Sequence, residues 1–105
     1  MNNEDKFISI KKGLLELAVL KIISRDKVYA ADILEKLSHT EFASKEGTLY
    51  PLLSRLKREG ALNYEWAESA AGPPRKYFGL TDKGKEQLAA LMKYWKDLDS
   101  TINNF

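Results

Sequence analysis

Lys45, Arg55, Lys57 and Arg58 crowd one short segment of the chain, and Arg75 and Lys76 follow a Gly72-Pro73-Pro74 turn. Cations grouped in this way suit contact with phosphate, because neutralising a polyanion's backbone takes Lys and Arg at fixed places rather than a high total charge. The total is low, with a net charge of +2. Chemistry that makes or breaks bonds has little material here. There is no cysteine to act as nucleophile or metal ligand, and His39 is the only histidine. His39 sits in a polar connection suited to a surface or capping role. No Gly-rich phosphate loop and no serine, histidine and carboxylate set is present. Glu65 and Glu68 read as solvated charges on a strand. The expectation is a binding protein, not an enzyme, with no cofactor and no metal.

The chain has 105 residues, 44% of them hydrophobic and 30% charged, a size and balance that suit one folded domain without staples. The opening Met1-Asn2-Asn3-Glu4-Asp5 has neither the basic start nor the apolar run of a secretion signal, and no later stretch could span a bilayer. The expected location is the cytoplasm, away from membranes.

Helices and a hairpin must position the cations. Ser9 to Ile23 is apolar on too wide an arc for one surface stripe, which predicts a helix covered on two sides. Ala30, Ile33, Leu34 and Leu37 recur at the spacing of one helical face. A third helix is expected from a Ser44 N-cap to Glu59, stopped by Gly60, with Leu49, Leu52, Leu53 and Leu56 inward. Winding it at 100° per residue puts Thr48, Pro51, Ser54, Arg55 and Arg58 outward and Tyr50 and Lys57 beside them. Pro51 lacks the helical N–H, so a bend is expected in the first turns. Leu62, Tyr64 and Trp66 then alternate with Asn63, Glu65 and Ala67 as in a strand. Ser69 to Pro74 reads as a loop and Arg75 to Leu80 as the return strand, with Trp66 expected to pack on the core or the sheet.

Thr81 caps a last helix in which Leu88, Leu91, Trp95, Leu98, Ile102 and Phe105 form a heptad seam. At about 1.5 Å per residue that helix is on the order of 35 Å long and should outrun its own core, so a second copy of the chain is the expected cover. The fold class is mainly α with a two-stranded wing: a winged helix-turn-helix over 1–81 and a long C-terminal dimerisation helix over 82–105. In this element order the third helix enters the DNA major groove and the hairpin reaches neighbouring backbone. Trp95 has two readings, as filler of the seam or as one wall of a cavity between two final helices.

Two stretches carry a resemblance. Gly47-Thr48-Leu49-Tyr50-Pro51-Leu52-Leu53, with Arg55-Leu56 and Glu59-Gly60, is similar to the recognition-helix signature of the PadR family of bacterial regulators. Gly72-Pro73-Pro74-Arg75-Lys76-Tyr77-Phe78, with Leu80-Thr81 and Lys83-Gly84, resembles that family's wing and the entry to its final helix. The second helix departs from the pattern, since Tyr29-Ala30-Ala31-Asp32 stands where the family often has Tyr-Gly and another aromatic. The single C-terminal helix resembles the short subgroup, whose dimers pair this helix with the partner's first helix. That likeness implies an interface of Leu14, Leu17, Leu88, Leu91, Trp95, Leu98 and Ile102, and a place for a flat aromatic ligand at Trp95. It further implies a homodimeric repressor of a near-palindromic double-stranded operator. Thr48, Tyr50, Pro51, Ser54 and Arg55 would face the groove, with Lys45, Arg58, Arg75 and Lys76 on the backbone. The rival reading is a winged helix used only for protein association.

Overall fold

The computed structural model describes residues 3–70 and 72–105. Helices α1 (Asn3–Arg25), α2 (Ala30–Ser38) and α3 (Glu46–Arg58) precede strands β1 (Leu62–Ser69) and β2 (Gly72–Leu80), and α4 (Asp82–Asn103) closes the chain. The winged helix-turn-helix expected from the periodicities is the observed fold.

The core forms where the apolar stripes converge. Val19, Leu20 and Ile23 of α1 meet Ile33 and Leu37 of α2 and Leu49, Leu53 and Leu56 of α3, all buried. Phe78 and Leu62 close the core from the wing. The strands pair antiparallel with Leu62 opposite Leu80 and Trp66 opposite Lys76. Val28 adds a single bridge to Phe78, fastening the α1–α2 connection to β2.

The junction of α3 and the wing is built from backbone. Ala61 N–H donates to Leu56 O at 2.9 Å and Gly60 N–H to Lys57 O at 3.0 Å, the paired bonds of a Schellman stop. Gly60 supplies the left-handed residue with φ 81°, which a side chain would resist. At the other end of the wing Thr81 caps α4 by accepting from Gly84 N–H at 3.0 Å, and its hydroxyl donates to Gly60 O at 2.6 Å.

Several expectations need correction. The first helix begins at Asn3 rather than Ser9, and its added turns carry exposed Phe7 and Ile8. Ser44 is not the N-cap of α3: its hydroxyl donates back to Phe42 O at 2.8 Å, and Lys45 holds the cap position with no side-chain bond. The helix ends at Arg58, Glu59 being its C-cap, and runs unbroken through Pro51. Pro73 and Pro74 belong to β2 rather than to a loop. A two-stranded sheet has only edge strands, so prolines without an N–H can be accommodated there. Part of the expected loop, residue 71, lies outside the described residues. Trp66 packs on the sheet face, edge-on to Tyr64, and not on the core: it is 62% exposed, because the wing runs past the helical layer and its inner face there meets an open cleft.

Helix α4 divides in two. Leu88 and Leu91 pack against the chain's own core, whereas Trp95 is 42%, Leu98 41% and Ile102 67% exposed. Leu14 and Leu17 of α1 are half-buried.

Candidate nucleic-acid interface

Burying Leu49, Leu53 and Leu56 turns the opposite side of α3 to solvent, and Thr48, Tyr50, Pro51, Ser54, Lys57 and Arg58 are all exposed there. The two flanks of this face meet different neighbours. Tyr50, Ser54, Lys57 and Arg58 border a cleft of about 790 Å³ whose other walls are the start of α2 and the wing, including Arg75 and Lys76. Thr48 and Lys45 fall on the far flank, beside Lys11 and Lys12 of α1 around a second hollow of about 300 Å³.

Among the described residues no carboxylate lines the larger cleft, while Lys57, Arg58, Arg75 and Lys76 all do. Its aromatic rings hold these cations. Lys76 Nζ stands 4.4 Å from the Tyr64 ring centroid and 5.3 Å from that of Trp66, and Lys57 Nζ covers Tyr64 at 5.3 Å. Arg75 lies over Tyr29 at 5.1 Å, and Tyr29 stacks on Tyr77 at 3.9 Å between centroids. A neutral ring brings no counter-charge, so each such contact leaves the cation's charge free for a phosphate. The neighbouring Tyr77 hydroxyl, above all, pushes the Tyr29 phenol above its ordinary pKa, against the pull of Arg75. Tyr29 is therefore neutral at physiological pH, and the cleft stays cationic.

Arg55 is placed differently from the other predicted contacts. It leans toward α1, with Nη2 2.9 Å from Glu16 and Nη1 3.1 Å from Glu59. His39 is exposed and 3.8 Å from Glu35 on the turn before it, away from the cleft. Sequence reasoning left Tyr29, Tyr64 and Trp66 out of the site, and named Lys57 only as a cation beside the outward face of α3. A signal for the wing pair did exist, since period-two alternation puts Tyr64 and Trp66 on one face and hairpin pairing sets Lys76 across from them.

A cationic cleft between a third helix and a wing is the docking surface that winged-helix proteins offer to DNA. The family model for PadR-like transcriptional regulators matches residues 19–90. The chain belongs to that family. Its fold is shared with a PadR-like transcription factor from Bacteroides fragilis, 44% identical, covering 98% of each chain with a TM-score of 0.80. A PadR-like transcriptional regulator from Bacillus cereus is 39% identical over 91% of this chain and 94% of that one, with a TM-score of 0.83. An uncharacterised protein of Lysinibacillus sphaericus is 29% identical over 99 residues, 91% of each chain. As a PadR-family member the chain is a DNA-binding transcriptional regulator and not an enzyme, which sets aside the reading as a pure association module. Among the described residues no helix is long and apolar enough to cross a membrane.

Proposed function

We propose that this PadR-family regulator is a cytoplasmic homodimeric repressor that binds a near-palindromic operator. The observation that carries the reading is the carboxylate-free cleft between α3 and the wing, where Lys57, Arg58, Arg75 and Lys76 converge. Thr48, Tyr50, Pro51 and Ser54 present the exposed face that enters the major groove. Lys45, Arg58, Arg75 and Lys76 hold phosphates on either side. Residues 1–81 form the DNA-binding unit and 82–105 the dimerisation helix, whose exposed Trp95, Leu98 and Ile102 are covered by a second copy. Leu14 and Leu17 of that copy complete the interface.

Genomic fragments retained by the purified protein, sequenced and then tested by gel shift at several salt concentrations, check the reading. Recovery of one repeated inverted motif supports it, and retention of no fragment overturns it. Arg75→Ala and Lys76→Ala are each expected to weaken binding to every sequence alike and to lower the slope of log affinity against log salt by about one unit. A slope that stays unchanged would remove the wing from the interface.

The repressor is released by a small planar hydrophobic effector held between the two final helices at Trp95. An indole is larger and flatter than the Leu, Ile or Val that close helix packing favours, so two of them near a dyad hold the helices apart and leave a slot. Trp66→Phe makes Trp95 the sole indole. Flat aromatics titrated into that variant without DNA are expected to quench it at tens of micromolar, a range of ordinary weak-ligand affinity. A variant that dimerises yet shows no quenching by any compound would leave Trp95 as filler. A ligand loosens DNA only if it binds the DNA-free geometry better, so operator release by the same compounds is the second arm.

A further inference from the structure

Among the described residues, Arg55 is the one cation of α3 engaged by carboxylates, and one of them comes from another element. Its Nη1 donates to both oxygens of Glu59, the C-cap of α3, at 3.1 and 3.2 Å. Its Nη2 lies 2.9 Å from Glu16 Oε1 on α1. The Glu16 side chain is only 19% exposed, and Oε1 is shut off from water with no aligned hydrogen-bond donor of its own. The Arg55 charge is what compensates that oxygen, and a buried charge stripped of its partner is strongly unfavourable. The planar guanidinium has a fixed fork of donors, so holding two carboxylates on two helices fixes the rotation of α3 as well as its distance from α1. One positive and two negative charges also leave the cluster net negative. A phosphate approaching it would be repelled, in contrast to the carboxylate-free cleft on the opposite flank of α3.

We propose that Arg55 is a positioning residue and not a DNA contact: with Glu16 it locks the orientation of α3 against α1, so that Thr48, Tyr50 and Ser54 meet base edges in one geometry. The inference rests on the reading that α3 enters the groove, and it reassigns the role that residue spacing gives Arg55. It also joins the recognition helix to α1, whose Leu14 and Leu17 flank Glu16 in sequence.

The test compares the wild type with Glu16→Gln, Arg55→Gln and the double variant, on an operator duplex recovered from the retained fragments and on calf-thymus DNA. Glu16→Gln is expected to weaken operator binding about tenfold, the low end of what a close charge pair is worth. Binding to calf-thymus DNA stays within about twofold and the salt slope is unchanged, because no phosphate contact is lost. Arg55→Gln gives the same loss of selectivity at unchanged slope, and the double variant is no worse than either single one, as for two residues acting as a unit. A phosphate contact predicts the opposite sign: Glu16→Gln frees Arg55 and tightens binding to both DNAs, and Arg55→Gln lowers the slope by about one. Either of those results overturns the proposal. Thermal melting verifies that each variant folds, and Glu16→Gln, being isosteric, decides the matter if Arg55→Gln does not. Failure of the wild type to bind any duplex would instead sink the DNA-docking assignment of α3.

Discussion

A chain carrying Leu98→Asp and Ile102→Asp is expected to sediment as a folded monomer and to lose operator affinity by a factor on the order of 10² to 10⁴, the usual gain from linking two binding modules. The choice of positions follows from how α4 divides. Leu88 and Leu91 lie against the chain's own core, so ending the chain before Leu88 would remove core packing together with the interface. Leu98 and Ile102, further along α4, are 41% and 67% exposed. Charges there leave the winged helix intact and place like charges across the dyad, where they cannot be paired or hydrated in a closed seam. One recognition helix per particle then remains, and two half-sites a helical turn apart cannot be held together. The salt slope should fall to about half, since half the phosphate contacts are lost. Sedimentation velocity at micromolar concentration checks the first claim and gel shift the second. A variant that stays dimeric would show that the exposed half of α4 is not the interface.

What was legible in the sequence is what periodicity encodes. The stripe Leu49, Leu53 and Leu56 decides which side of α3 is outward, and exposure of Thr48, Pro51, Ser54 and Arg58 follows from winding alone. The switch to alternation at Leu62 locates the wing for the same reason. The heptad seam is equally local, although its spacing could not say that Leu88 and Leu91 are spent on the chain's own core. Features that periodicity does not show are those decided by contacts between distant segments or by competing local bonds. Ser44 has the right residue type for an N-cap, but its hydroxyl is taken by Phe42 O. Trp66 alternates correctly and yet is exposed, because nothing in a strand pattern tells where the helical layer beneath it ends. Arg55 lies on the outward arc by angle, and only the tertiary placement of Glu16 turns its guanidinium toward α1. The aromatic seats of Lys76 and Arg75 combine β1, β2 and the residue before α2, a set that no single periodicity contains.

Gly84→Ala is expected to lower the melting temperature by about 15 °C, the scale of roughly 3 kcal/mol of overpacking in a domain of this size. A Cβ on Gly84 would run into Ala61 O and come within 3.0 Å of the carbon that bears it, so something must move. The obstacle is backbone, not the flexible end of a side chain. It is also pinned, since Ala61 O accepts from Thr81 N–H at 3.1 Å and Ala61 N–H is committed to the stop of α3. Moving the carbonyl breaks the bond that anchors Thr81, the N-cap of α4, and moving α4 breaks the Thr81 cap on Gly84 N–H at 3.0 Å. Both responses shift α4 relative to the wing, which in the proposed dimer couples this contact to the spacing of two recognition helices. Gly13→Ala and Gly47→Ala are the controls. A Cβ at either meets nothing within 4 Å, and both lie in helices, where alanine is favoured over glycine by about 0.5 to 1 kcal/mol. Thermal melts of the three variants should therefore split, with the two controls at or above the wild type and Gly84→Ala far below it. If Gly84→Ala melts with the wild type, the α4 backbone does not seat on Ala61 as described, and the path from wing to dimer helix must run elsewhere.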